Sequence, residues 1–171
     1  MELIKDIPDN AVDVCFTSPP YNRIRNDTYA LYDDVLQDYY TMLVNITDEM
    51  LRVARRDVIV NIQMILFNKV DVCRYIGNYA DKMKGIIIWQ KNNPQPASNP
   101  KEDTFSITNS YEFFFVLSAN GDNEFRAFNK IKNIISTNVN SEHFQGHGAV
   151  MKKEVCEYFV ENFTRGGRNS A

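Results

Sequence analysis

The chain has 171 residues, 44% of them hydrophobic and 24% charged, which suits one domain with a sizeable core and excludes a disordered tail. A net charge of −3 excludes a uniformly basic, histone-like binder but leaves room for a local basic groove. The three cysteines, Cys15, Cys73 and Cys156, are far apart and odd in number, and only His143 and His147 could join them. Neither a metal site nor the disulfide framework of a small secreted domain is therefore expected, which points to a reduced, intracellular protein.

Residues Met1 to Asp13 hold no long apolar stretch, so no signal peptide is read there. The runs Ile86–Trp89 and Phe113–Leu117 are too short to cross a bilayer, and no membrane partner is expected. In chain order, Val12–Phe16 alternates apolar and polar residues and then meets Pro19 and Pro20, which predicts a half-buried strand stopped by residues that cannot donate to a ladder. From Val35 to Arg56 apolar residues recur at three- and four-residue steps, predicting a long amphipathic helix with Arg52, Arg55 and Arg56 in its last turn. The β-branched run Asp57–Ile62 reads as a buried strand, Phe67–Met83 as a helix weakened by Gly77, and Gly85–Trp89 as another strand.

Gln90–Phe105 holds Pro94, Pro96 and Pro100 and no regular period, so it is expected to be a long functional loop. Glu112–Leu117 reads as a central strand, Ala119–Asp122 as a turn, and Phe125–Thr137 as a source of one weak strand. Val155, Cys156, Phe159, Val160 and Phe163 are expected on one face of a last helix ended by Gly166 and Gly167. Strands alternating with helices give an α/β fold, and no glycine-rich phosphate loop follows a strand.

The segment Thr17-Ser18-Pro19-Pro20-Tyr21-Asn22 ends the first strand, where open α/β sheets place their ligands. The tetrapeptide alone is equally a rigid turn. With its context, the chain resembles the beta-class DNA amino-methyltransferases, which methylate the exocyclic nitrogen of cytosine or adenine. The approach Ile7–Asp13, the strand Val58–Ile62, Ile88-Trp89-Gln90-Lys91 followed by Tyr111-Glu112-Phe113, and His147–Met151 match that family in order, so the resemblance spans nearly the whole chain.

The resemblance implies a Rossmann-like sheet with flanking helices, one catalytic domain over residues 1–171, S-adenosylmethionine as cofactor, DNA as partner, and a place in restriction-modification within a bacterial cytoplasm, the gene being bacterial or phage-borne. It implies a catalytic loop at 17–22, a target-facing loop at 90–105 and a segment of the cofactor pocket at 147–151. Ser18, Pro19, Pro20 and Tyr21 would carry the chemistry. Ser18 and the Pro19 carbonyl would accept hydrogen bonds from the target amine, and Tyr21 would project from the loop to stack on a base turned out of the duplex. Thr17, Asn22, His147 and Ala149 would line the cofactor, and Arg23, Arg25 and Lys91 would meet phosphates. Serine in the first loop position favours cytosine, with adenine second.

Plainer readings stand beside these. Trp89 is expected in the core, Glu112 as a capping or partnered carboxylate, His147 on a surface loop, and Lys91, Lys101, Lys152 and Lys153 as solvated charges. The family's Asp-Pro-Phe-x-Gly-x-Gly cofactor motif does not follow the last helix, so the sheet is expected to be incomplete and to pair with a second polypeptide or another copy. The alternatives are a non-catalytic fragment or DNA-binding subunit needing a partner that supplies the cofactor site, and an RNA or small-molecule amino-methyltransferase.

Overall fold

The computed structural model describes residues 2–22, 38–94, 107–138 and 151–164. Its elements run α1 (Glu2–Lys5), β1 (Val12–Thr17), α2 (Tyr39–Val53), β2 (Ala54–Ile62), α3 (Lys69–Asn78), β3 (Met83–Lys91), β4 (Tyr111–Ser118), β5 (Ile134–Thr137) and α4 (Lys153–Phe163). The strands form one sheet in the order β1-β2-β4-β3-β5. β1 lies parallel to β2, β4 runs antiparallel to both β2 and β3, and β5 is parallel to β3. This is a Rossmann-like α/β fold.

Period-two alternation divides the core into two layers. Val58, Val60 and Ile62 of β2 and Phe115 and Leu117 of β4 meet Leu43 and Met50 of α2 and Val72 and Tyr75 of α3. Their neighbours Ile59, Phe114 and Val116 face the other way, with Ile87 and Trp89, onto Val155, Phe159 and Phe163 of α4. Each fully buried large side chain stabilises the fold by about 1.5–3 kcal/mol. β4, apolar from Phe113 to Leu117, is central because both of its faces are covered and both of its edges are paired.

Several boundaries differ from the sequence reading. The α2 helix stops at Val53, and Ala54 is already extended (φ −81°, ψ 140°). Arg55 and Arg56 therefore lie on β2, where they pair with Asp13 at 3.5 Å and Asp57 at 2.6 Å. β1 thus pairs with Ala54 and the residues that follow it, so the chain is extended where the arginines stand. Arg52 does stay in the last helical turn, and donates to the Ile4 and Ile7 carbonyls and to Asp9 and Glu49. That clamp secures α1, an element too short for periodicity to reveal. The other end of α2 is capped by Asp38, which accepts the Thr41 amide at 3.0 Å; positions 35–37 lie outside the described residues.

The α3 helix is shorter than its pattern, and Leu66 and Phe67 before it are exposed. In α4 Val160 is exposed rather than on the buried face, and Asn162 takes its place. Gly166 and Gly167 lie outside the described residues.

Candidate active site

The sheet face toward α4 changes character at one end. Going up β1, β2 and β3 and back along β4, the last apolar residues are Phe16, Ile59, Trp89 and Phe114. Two residues further on in each strand direction stand Ser18, Asn61, Lys91 and Glu112. Because side chains two apart share a face, the strands themselves gather these polar groups at the carboxyl end of β1 and β2.

Asn61 is the hub. It is fully buried at the end of the run Val58-Ile59-Val60, where a lone amide must find partners. Its Nδ2 donates to the Phe113 carbonyl at 3.1 Å across the β2–β4 ladder, which settles the orientation of the amide. Its Oδ1, which can only accept, takes a hydrogen bond from the Ser18 hydroxyl at 3.0 Å and one from the Tyr21 hydroxyl at 2.6 Å. The one Tyr21 hydroxyl proton is shared between that oxygen and Glu112 Oε2 at 2.9 Å, and the hydroxyl lies 3.2 Å from Ser18 Oγ. Glu112 Oε1 accepts from Lys91 Nζ, and both side chains of this ion pair are largely buried.

The loop backbone is held as firmly. Pro19 is buried, and Asn22 turns the chain with φ +56°, a left-handed conformation that asparagine tolerates better than most residues. Asn68, buried at the start of α3, donates to the carbonyls of Tyr21 and Gln63 at 2.9 and 3.0 Å and accepts the Ile65 amide at 2.8 Å. The turn after β2 thus fastens the turn after β1.

Ser18, Pro19, Pro20 and Tyr21 are therefore brought together, with Thr17 ending β1 half-buried and Asn22 buried beside them. Tyr21 does not project freely. Its ring is partly buried and its phenol points back into the site, because two acceptors lie within reach there. Lys91 faces Glu112, and Glu112 is the partnered carboxylate expected. Trp89 is core, and donates through Nε1 to Thr137 Oγ1 at 2.9 Å. Arg23, Arg25, Lys101, His147 and Ala149, and loop positions 95–105, lie outside the described residues. Sequence reasoning misses Asn61 and Asn68. The signal for Asn61 is an amide embedded in a β-branched strand; Asn68 gives none beyond a helix start.

Beside β1, which pairs only with β2 among the described residues, runs a groove of about 860 Å³ lined by Ile4, Ile7, Val12, Val14, Phe16 and Met50, with Thr17 at its polar end. Among the described residues no three His, Cys, Asp or Glu side chains are placed to hold a metal. No described helix is long and apolar enough to cross a membrane.

A sequence profile of the family described as "DNA methylase", the N6/N4 methyltransferases, matches residues 12–163. The chain belongs to this family of DNA amino-methyltransferases. The family's match takes in the loop, the Asn61 hub and the Lys91–Glu112 pair alike. Among solved structures, PvuII DNA methyltransferase (cytosine-N4-specific) superposes with a TM-score of 0.68 at 13% identity, covering 95% of this chain and 67% of its own. M1.HpyAVI superposes with a TM-score of 0.52 at 18% identity, covering 95% and 71%. Its complex with SAM gives 0.50 at 17% identity, covering 95% and 73%. These likenesses confirm the Rossmann-like α/β fold. No curated protein sequence matches this chain.

Proposed function

We propose that this DNA amino-methyltransferase transfers a methyl group from S-adenosylmethionine to the exocyclic amine of a cytosine turned out of duplex DNA, with residues 1–171 acting as one catalytic domain. The observation that carries the reading is the Ser18–Asn61 hydrogen bond, 3.0 Å with serine as donor. An exocyclic amine has a lone pair delocalised into its ring and is a poor nucleophile. A group that accepts its N–H hydrogens favours a tetrahedral nitrogen with the lone pair freed. Ser18 can serve only if its own proton is directed elsewhere, and the Asn61 carboxamide oxygen takes it. The exposed Ser18 oxygen then offers lone pairs alone to the target. The Pro19 carbonyl, on a backbone fixed by two prolines and by the Asn68 bonds, is the second acceptor.

S-adenosylmethionine supplies the electrophilic methyl when bound. Of the residues assigned to it, Thr17 and Asn22 are described, and both are neutral. The adjoining groove is apolar, so the described residues fit the uncharged parts of the cofactor, and its charged ends need partners outside them. We assign the side of β1 that is unpaired among the described residues to a strand added by a second copy of the chain, which completes the sheet and leaves the groove to the cofactor. Cofactor binding by a chain that sediments as a monomer would overturn that assignment.

Serine rather than a carboxylate in the first loop position favours cytosine over adenine. The PvuII enzyme, which shares the fold, is cytosine-N4-specific. The test is Ser18→Ala. Methyl transfer to DNA is expected to fall by roughly 100-fold or more, the scale of losing one preorganised polar group, while DNA affinity is kept. Equal loss of both would make Ser18 a structural residue and refute the reading.

A further inference from the structure

The phenol of Tyr21 has no part in the amine chemistry just described, yet it is the most heavily contacted hydroxyl in the site. Its one proton faces two acceptors, Asn61 Oδ1 at 2.6 Å and Glu112 Oε2 at 2.9 Å. Of these Glu112 is the stronger acceptor, being a buried carboxylate whose other oxygen pairs with the Lys91 ammonium. Stacking requires a ring face presented at a fixed angle, and the loop backbone sets only the Cα end of the side chain. The hydroxyl contacts fix the far end. A phenylalanine would fill the same volume and leave that end loose.

We propose that Glu112, neutralised by Lys91, is a positioning residue that sets the angle of the Tyr21 ring through its hydroxyl, so that the ring forms a preset platform for a planar nucleobase. This rests on the proposed function for its substrate, but its geometry is that of the protein alone. Two consequences follow. The Lys91 ammonium belongs to the platform and not to the phosphate-binding surface. The Tyr21 hydroxyl acts only in company with Glu112.

The test has one arm that needs no substrate. In protein labelled with 3-fluorotyrosine, the Tyr21 fluorine signal is the one missing from Tyr21→Phe. It is expected to shift and broaden in Glu112→Gln, while the signals of the distant Tyr75 and Tyr79 stay in place. Should Glu112→Gln not fold, Glu112→Asp keeps the charge and the lysine but withdraws the oxygen by one methylene, and the same shift is expected. A Tyr21 signal unmoved in a folded Glu112 variant overturns the proposal.

The second arm is a double-mutant cycle on methyl transfer. Tyr21→Phe and Glu112→Gln are each expected to lower kcat about 10-fold, and Glu112→Gln to cost less than about 2-fold in the Tyr21→Phe background. Equal costs in both backgrounds would mean that Glu112 acts independently of the ring, and would overturn the proposal. A wild-type chain that transfers no methyl to any nucleic acid would contradict the proposed function instead, and the fluorine arm would still decide the positioning role.

Discussion

Replacing Asn61 by aspartate changes one NH2 to an oxygen and should make the stability of the protein depend on pH. In the wild type Nδ2 donates to the Phe113 carbonyl at 3.1 Å. An ionised aspartate there would lose that bond and set a carboxylate oxygen against the Phe113 carbonyl, at a cost of about 1–3 kcal/mol. It would also place a second negative charge near Glu112. The distances of 2.6 and 2.9 Å to the shared Tyr21 oxygen cap the separation of the two acceptor oxygens at about 5.5 Å. At an effective dielectric constant of 20 that repulsion is about 3 kcal/mol, before partial offset by Lys91. The combined loss is about 4–6 kcal/mol with the carboxyl ionised.

Once protonated, the introduced carboxyl can donate to Phe113 and recover most of this. Its folded-state pKa is therefore raised above its unfolded value. The unfolded chain ionises first, and stability falls as pH rises above about 4, by up to about 1.4 kcal/mol per unit until the folded form ionises too. Urea denaturation of wild type, Asn61→Asp and Asn61→Leu at pH 5 and pH 8 measures this. The leucine variant should lose about 2 kcal/mol, for the lost amide hydrogen bonds, to the same extent at both pH values. An aspartate variant whose deficit does not grow between pH 5 and pH 8 would refute the hub geometry.

Other outcomes follow from single contacts. A Cβ on Gly85 would sit 2.5–2.8 Å from the Phe125 ring, so Gly85→Ala should cost about 1–3 kcal/mol in thermal unfolding, and Phe125→Ala in the same chain should restore much of it; an undiminished Tm would mean that Phe125 does not cover Gly85. Asn68→Ala frees the Tyr21 and Gln63 carbonyls and should lower stability by about 1–3 kcal/mol together with methyl transfer, measured by urea unfolding and single-turnover assay. Burial pushes the Tyr75 and Tyr79 phenols well above the ordinary tyrosine range. The unfolded chain ionises first, so stability should hold to about pH 10 and then fall by up to about 1.4 kcal/mol per unit for each, whereas flat stability to about pH 11.5 would contradict the burial. Lys91→Met should leave the salt dependence of non-specific DNA binding unchanged, while a slope reduced by about one would return Lys91 to the phosphate surface.

Much of the fold is legible because strands written as apolar runs, such as Phe113–Leu117, have few alternatives in an α/β chain. The α2–β2 junction is not, because Arg55 and Arg56 suit a helix terminus and a strand edge equally, and partners remote in sequence, Asp13 among them, decide it. The loop 17–22 is legible from its prolines. Its supports are not. Asn61 and Asn68 act through bonds to Ser18, Tyr21 and Phe113, partners 40 to 52 residues away, and local spacing carries no trace of these. Tyr21 reads as a projecting ring because a loop aromatic next to prolines has no local amide or carboxylate to hold its hydroxyl. Its partners arrive from β2 and β4.

The central claim is that Ser18 and Pro19 present acceptors to the exocyclic amine of a base in DNA. The most direct measurement is mass spectrometry of nucleosides from the DNA of a methylation-deficient bacterial host expressing the chain, beside its Ser18→Ala variant. N4-methylcytosine that disappears with Ser18→Ala is the predicted result. No modified base with the folded wild-type chain present, or a methyl group on carbon five of cytosine, would contradict it.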